Sequence, residues 1–381
     1  MWQPDALACA YLQYRRTPWI RPEYPLPARC FDAIGTAGRR AGLINPLLDQ
    51  VLRPIYRTRW PIDVLHVVEP FAHPPLYLQR DTRLVVTVHD LIPLRMRRAL
   101  LRGSLSGRLR GLGVRMGLST LQRADAVIAV SHQTRRELQR LLRIEEHKLH
   151  VIHEAVDPVT FRHGPTDGDA RPLLARFGLA DRRFVLHVGD VGDRKDFRSL
   201  LRAFATVRRD LPGLRLVMAG ATVADVRFAA TRAFWQHVDE LGLRASVVAT
   251  GFLETTDLAR MYQSALALLF PTRMEGFGLP LLEAMHCGCP VVACELPVFR
   301  ELAGAVDWLV PIGDTAAMSE QIVRLARDDG EFARRRDHGL ARAALFGRAT
   351  MGRRTLDVYR SVLDGAQSGT RTSQGSRGIE P

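Results

Sequence analysis

The chain reads as an α/β protein built on parallel, doubly wound sheets. Three observations lead to that class. Short Val, Ile and Leu runs recur between helical segments, at residues 63–68, 83–93, 125–131, 149–152, 184–189, 214–220, 247–251 and 265–270. Apolar runs without polar alternation, spaced by helix-periodic stretches, are the mark of parallel strands covered on both faces. A glycine loop after Phe270 joins one such strand to a helix start at Pro280. A polar, turn-rich break at residues 164–169 divides the runs into two sets.

The elements follow in order. Residues 1–62 carry Pro18, Pro22, Pro25 and Pro27, and show no recognisable opening strand; Ile34 to Arg39 opens a helix with no strand before it. Order begins at Asp63. His89 and Asp90 fall at the carboxyl end of the run from Arg83, where ligand sites of such sheets lie. Ser131 follows another run and can cap the helix that reaches Leu142. These divide the chain into an N-terminal domain at 1–163 (1–62 divergent or truncated), a linker at 164–183 and a second domain at 184–349. A helix at 350–364 and a disordered Ser/Gly/Thr/Arg tail at 365–381 complete it. Within the second domain, Asp196 is placed to cap the helix from Phe197, and Asp314 the helix through Ala326.

Composition sets limits. At 381 residues and 46% hydrophobic content, two cores can be filled. The net charge is +14, and lysine occurs only at Lys148 and Lys195, so arginine carries it. Residues 95–143 hold twelve arginines against Asp125 and Glu137. That stretch is either a solvated helix face or a docking surface for anionic lipid headgroups. Nucleic-acid binding ranks last, because no recognition motif or stacking pattern accompanies the arginines. Five cysteines, three of them at Cys287, Cys289 and Cys294, are not a disulfide framework and fit a reducing compartment. The spacing of Cys287 and Cys289 is wrong for the usual zinc knuckles, so buried small residues are expected. No secretory signal or membrane span is visible, which points to a cytoplasmic protein, with attachment at the inner membrane face left open.

The stretch from Arg273 to Val292 carries the chemistry. Gly276 and Gly278 loosen the backbone, Pro280 suits a first helical turn, and Gly288 stops the helix. Amides and the positive end of a helix dipole then face the mouth of a sheet, a place to hold an anion. Glu275 stands just before the helix and Glu283 in its first turn. Carboxylates repel an anion but accept hydrogen bonds from sugar hydroxyls. Phosphate and sugar together mean a sugar nucleotide. Earlier in the chain, Arg194 and Lys195 supply two adjacent cations in a strand-end loop, suited to the charge that grows on a departing diphosphate.

Glu275, seven residues, Glu283, with Gly-Phe-Gly-Leu-Pro between them and Cys-Gly-x-Pro-Val-Val behind, resembles the donor-site signature of family 4 (group 1) retaining glycosyltransferases. Arg194-Lys195 is similar to that family's diphosphate-gripping pair, and residues 89–93 to its His-Asp-x-x-Pro segment. The resemblance implies the GT-B fold, two Rossmann-like domains facing across a cleft, with the helix at 350–364 crossing back. It implies a retaining hexosyltransferase that needs no metal and no cofactor beyond its nucleotide-sugar substrate. The site residues it implies are His89 near the transferred sugar, Arg194 and Lys195 on the diphosphate, Glu275 on the sugar and Glu283 on the ribose. Backbone groups of Gly276, Phe277, Gly278 and Leu279 hold sugar and phosphate oxygens. Mannose from GDP-mannose, passed to a lipid-linked or growing polysaccharide acceptor, is the first guess. An inactive partner subunit and a sugar-nucleotide epimerase are the alternatives.

Overall fold

The computed structural model describes residues 9–12, 63–68, 70–71, 82–95, 105–164 and 169–374. They fall into two compact units. The first takes the chain up to Val130, then Thr134–Ile152, then Arg353 onward; the second takes Ser131–Gln133 and His153–Gly352.

The first unit holds a parallel five-stranded sheet. Its strands are β1 (Cys9–Leu12), β2 (Val64–Val67), β3 (Arg83–Val88), β4 (Ala126–Ala129) and β5 (Leu149–Val151), paired in that sequential order. β1 corrects the sequence reading: an opening strand exists, in register with β2 from Cys9 opposite Val64. Four residues, with no turn or helix pattern recognised behind them, gave too short a signal to read. The remainder of the expected 1–62 region, including Ile34 to Arg39, lies outside the described residues. Leu84, Val86, Leu121, Ala129 and Leu138 make the core of this unit. Asp125 ties two strands, accepting from the Leu84 amide at 2.7 Å and from Arg83 at 3.2 Å.

The second unit holds six parallel strands: β6 (Phe184–Val188), β7 (Arg215–Ala219), β8 (Val247–Gly251), β9 (Ala267–Phe270), β10 (Val291–Cys294) and β11 (Leu309–Val310). Their order is β11-β10-β9-β6-β7-β8. The chain builds outward from β6 in one direction, then returns to β9 on its other side. That reversal opens a crevice at the carboxyl ends of β6 and β9, the usual ligand position in such sheets. β9 is buried at every residue, as its uninterrupted apolar run requires. Helices Phe197–Asp210 and Thr315–Arg327 cover one face through Leu200, Phe204, Met318 and Ile322. The expected caps are in place: Asp196 accepts from the Ser199 amide and Asp314 from the Ala317 amide. Cys287, Cys289 and Cys294 are buried free thiols, and burial pushes all three above their ordinary range.

Two boundaries differ from the sequence reading. Part of the expected linker, Arg171–Arg176, is a helix of the second unit, begun by Pro172 in its first turn. The last helix runs from Arg348 to Gln374, so residues 365–374 are helical where a disordered tail was expected. Gly365, Gly369 and four Ser/Thr residues give this stretch low helix propensity, so its composition alone points to a tail. Residues 375–381 lie outside the described residues. From Arg353 this helix counts with the first unit, where Tyr359 reaches His66 at 2.6 Å while the other ring nitrogen meets Thr87 at 2.7 Å.

Burial, with a smaller contribution from His89, holds His66 down to about 4; in the second unit burial does the same to His187, which bonds the Leu269 carbonyl. A histidine lowered in this way binds fewer protons folded than unfolded. Its stabilising share is complete above pH 6.5 and drains as pH falls toward 4, about 3 kcal/mol for each residue. Urea unfolding midpoints should therefore drop steeply between pH 6.5 and 4.5. His66→Asn should start lower and fall less over that interval. A wild-type midpoint that stays level would show that these rings are not held neutral.

Candidate functional site

Arg194 and Lys195 sit in a single helical turn, Asp193–Lys195, in the loop that follows β6. Residues 271–278 follow β9, the adjacent strand. Adjacency of the strands brings the two loops together. The Arg273 amide donates to the Arg194 carbonyl at 2.9 Å, and the Thr272 hydroxyl donates to the same carbonyl at 3.2 Å. So the cations face the loop that the sequence singled out.

One carboxylate oxygen gathers both. Glu275 Oε2 accepts from Lys195 Nζ at 2.8 Å and from Arg194 Nη1 at 3.1 Å. Arg194 also donates to the Met274 carbonyl at 3.2 Å. Lys195 is 5% exposed and lies 4.2 Å over the ring of Phe270. Burial, and after it Arg194, pull its ammonium below the ordinary value, while Glu275 pulls the other way. Gly189 leaves room for it: a Cβ there would stand 3.3 Å from Lys195 Cε. Asp196 turns aside, accepting from Ser199 Oγ at 2.9 Å and Arg273 Nε at 2.8 Å.

The glycine loop leads into the helix Leu279–His286, with Gly278 at its N-cap at φ 103°. A side chain at Gly278 is excluded twice, by that backbone angle and by Phe299, whose ring would lie 2.6 Å from a Cβ. Gly276 and Phe277 are buried and Leu279 is exposed. Two residues distant in sequence fasten this loop. Ser131 Oγ donates to the Gly276 carbonyl at 2.8 Å, and Gln133 Nε2 to the Glu275 carbonyl at 3.2 Å. Gln133 Oε1 accepts in turn from the Val298 amide at 3.1 Å. Sequence reasoning gave Ser131 a capping role and passed over Gln133. Pairings across more than 140 residues leave no local signal.

Glu283 is the fifth residue of its helix, one turn deeper than expected, and accepts from the Tyr262 hydroxyl at 2.8 Å. Burial pushes its carboxyl up to about 7, against the pull of that hydrogen bond. His89 is exposed just beyond β3 in the first unit, whereas the other candidate residues all belong to the second.

Residues 175–339 match the family model for glycosyl transferases group 1, and residues 21–160 match the model for glycosyltransferase family 4. The chain belongs to the group 1, family 4 glycosyltransferases. O-antigen chain mannosyltransferase B of Escherichia coli is 28% identical over 243 residues, covering 63% of this chain and 62% of that protein. The serotype-specific mannosyltransferase WbdA of the same species is 24% identical over 75% of this chain, which spans 34% of its length. D-inositol 3-phosphate glycosyltransferase 1 of Catenulispora acidiphila is 33% identical, covering 64% of this chain and 59% of that protein. The chain thus spans between about a third and three-fifths of these relatives. Among solved structures, sucrose-phosphate synthase from Thermosynechococcus elongatus superposes with a TM-score of 0.65 at 24% identity, over 81% of this chain and 75% of that one. Anabaena HepE, in complex with UDP and glucose, gives 0.63 at 19%, over 84% and 83%. These likenesses establish the GT-B fold.

Gly278→Ala tests the loop. It should lower stability by about 2 kcal/mol, since a strained backbone angle and a clash coincide. Equilibrium urea unfolding measures this, and an unchanged midpoint would mean that the loop accepts a side chain.

Proposed function

We propose that this family 4 member is a retaining hexosyltransferase. It takes a hexosyl group, mannose as first choice, from a nucleotide sugar to a lipid-linked or growing polysaccharide acceptor. The observation that carries the reading is the convergence of Arg194 and Lys195 on Glu275 beside the Gly276–Leu279 loop. Two fixed cations next to a helix start are matched to a diphosphate. In this reading the diphosphate takes over the cations and frees Glu275 for sugar hydroxyls. Buried Lys195 would act on it in a poorly solvated setting, where a charge counts for more.

During transfer the bond from the anomeric carbon to the diphosphate oxygen breaks. The acceptor oxygen bonds that carbon on the same face, and its proton passes to the departing phosphate oxygen. Arg194 and Lys195 carry the charge left on the diphosphate, the work a metal ion would do elsewhere. His89 is assigned to the region of sugar and acceptor, and Glu283 to the ribose. The mannosyltransferase relatives support mannose, hence GDP-mannose. UDP and glucose in the HepE structure make UDP-glucose the second donor to try. The arginine-rich segment 95–143 remains the surface for an anionic membrane. In its helix Leu105–Arg123, Val114 and Leu121 are buried while Arg115 and Arg123 are exposed. Arg95 is paired with Glu137 at 2.7 Å, and Arg97, Arg98 and Arg102 lie outside the described residues. No described helix is long and apolar enough to cross a membrane.

With a screened donor, Lys195→Ala should reduce kcat about a hundredfold or more, with a smaller change in KM. Turnover within a few-fold of wild type would remove Lys195 from charge stabilisation. Donor affinity should also rise with pH through about 7 as Glu283 ionises and becomes a full acceptor for ribose hydroxyls. Tyr262→Phe, which deletes the bond favouring the ionised form, should move that midpoint upward. Calorimetric titrations at several pH values decide it, and an affinity independent of pH would separate Glu283 from the ribose.

A further inference from the structure

A second cluster of ligand-type side chains lies in the second unit, apart from the cations. His132 and His153 both stand where the chain has just entered this unit, and both turn toward Glu301 of the helix Pro297–Ala303. Glu301 Oε1 accepts from His153 Nε2 at 2.6 Å and from the His132 backbone amide at 2.8 Å. The second oxygen is 3.1 Å from the same amide. The two imidazole rings meet edge to face, 5.8 Å between centroids. One ligand atom from each of the three residues falls within 4.8 Å of the others. Phe346 and Phe277 wall the His153 ring, at 5.4 and 6.1 Å. The Glu301 side chain is 12% exposed and that of His153 23%.

We infer that His132, His153 and Glu301 form a binding site for a zinc-class divalent cation, with the remaining position left to water. Two imidazoles and one carboxylate are a donor set that suits zinc and leaves an open place. A carboxylate oriented by a backbone N–H is what a ligand needs in order to point one lone pair at a metal. The base of the site is already fixed: Arg342 donates to the carbonyls of Glu301 and Leu302, both at 2.8 Å, and anchors the helix that carries the carboxylate. Zinc bonds of roughly 2.1 Å put neighbouring ligand atoms about 3.4 Å apart. His153 and Glu301 are nearer than that and must part slightly. His132 is exposed and closes the remaining distance by side-chain rotation. Through Phe277, which His153 touches, an occupied site would steady the glycine loop. The inference does not rest on the transferase reading, since it needs no donor.

The test uses the full chain, stripped with a chelator and dialysed. Zinc ion alone is titrated by calorimetry, and Co2+ serves as a visible reporter of a low-coordinate site. The wild-type protein should bind one equivalent and show the Co2+ bands. His132→Ala should weaken binding at least tenfold, and because this side chain is exposed the variant will fold. Glu301→Gln and His153→Asn should lose the bands. Absence of zinc binding, or equal binding by wild type and His132→Ala, overturns the site and leaves a His153–Glu301 hydrogen bond alone.

Discussion

Two cations side by side with little solvent repel one another, and the second unit is arranged around the carboxylate that keeps them together. Glu275 offers a single oxygen to both Arg194 and Lys195. That meeting is possible because β6 and β9 are neighbours, although more than seventy residues separate them. The aromatic ring of Phe270, the missing side chain of Gly189 and the sideways turn of Asp196 each serve the same end. They let a lysine lie buried without losing its charge partner. Removing Glu275 would leave like charges facing each other in a poorly solvated corner, a costly state for any fold.

Set against this is Glu283, a carboxylate of the same motif in an opposite environment. It has a phenol for company instead of cations, and burial keeps it near the point of neutrality. Identical side chains eight positions apart are thereby given different electrostatic characters, which is how a site divides tasks between like groups. Their spacing in the motif cannot reveal this. It depends on Tyr262, which arrives from a separate helix.

Much of this was readable in advance. The strands of the second unit stand out because parallel sheets demand continuous apolar runs, and Gly278 marks a backbone angle few other residues accept. Arg194 and Lys195 were recognisable as neighbours of a strand end. Their clasp by Glu275 was not, because the sequence shows what a carboxylate repels and attracts but not which partner reaches it first. The bonds that Ser131 and Gln133 make to the glycine loop are hidden for a related reason. A hydroxyl before a helix is ordinarily a cap, and only the folded chain presents it with the Gly276 carbonyl. At the other end of the chain β1 is too short to stand out, and the Gly, Ser and Thr content of the last helix beyond Asp364 is that of a tail.

The last helix has a consequence for biogenesis. The first unit includes residues after Arg353, and the Nδ1 of its buried His66 meets the hydroxyl of Tyr359 there. A ribosome delivers β1 to β5 well before that tyrosine. While the second unit is being made, the earlier sheet waits without the hydroxyl that meets His66 Nδ1. Domains usually complete themselves in the order of synthesis. Here the opening half is finished only after the second, so a chain stopped just before Arg353 would carry every residue of the second unit and an unfinished first one.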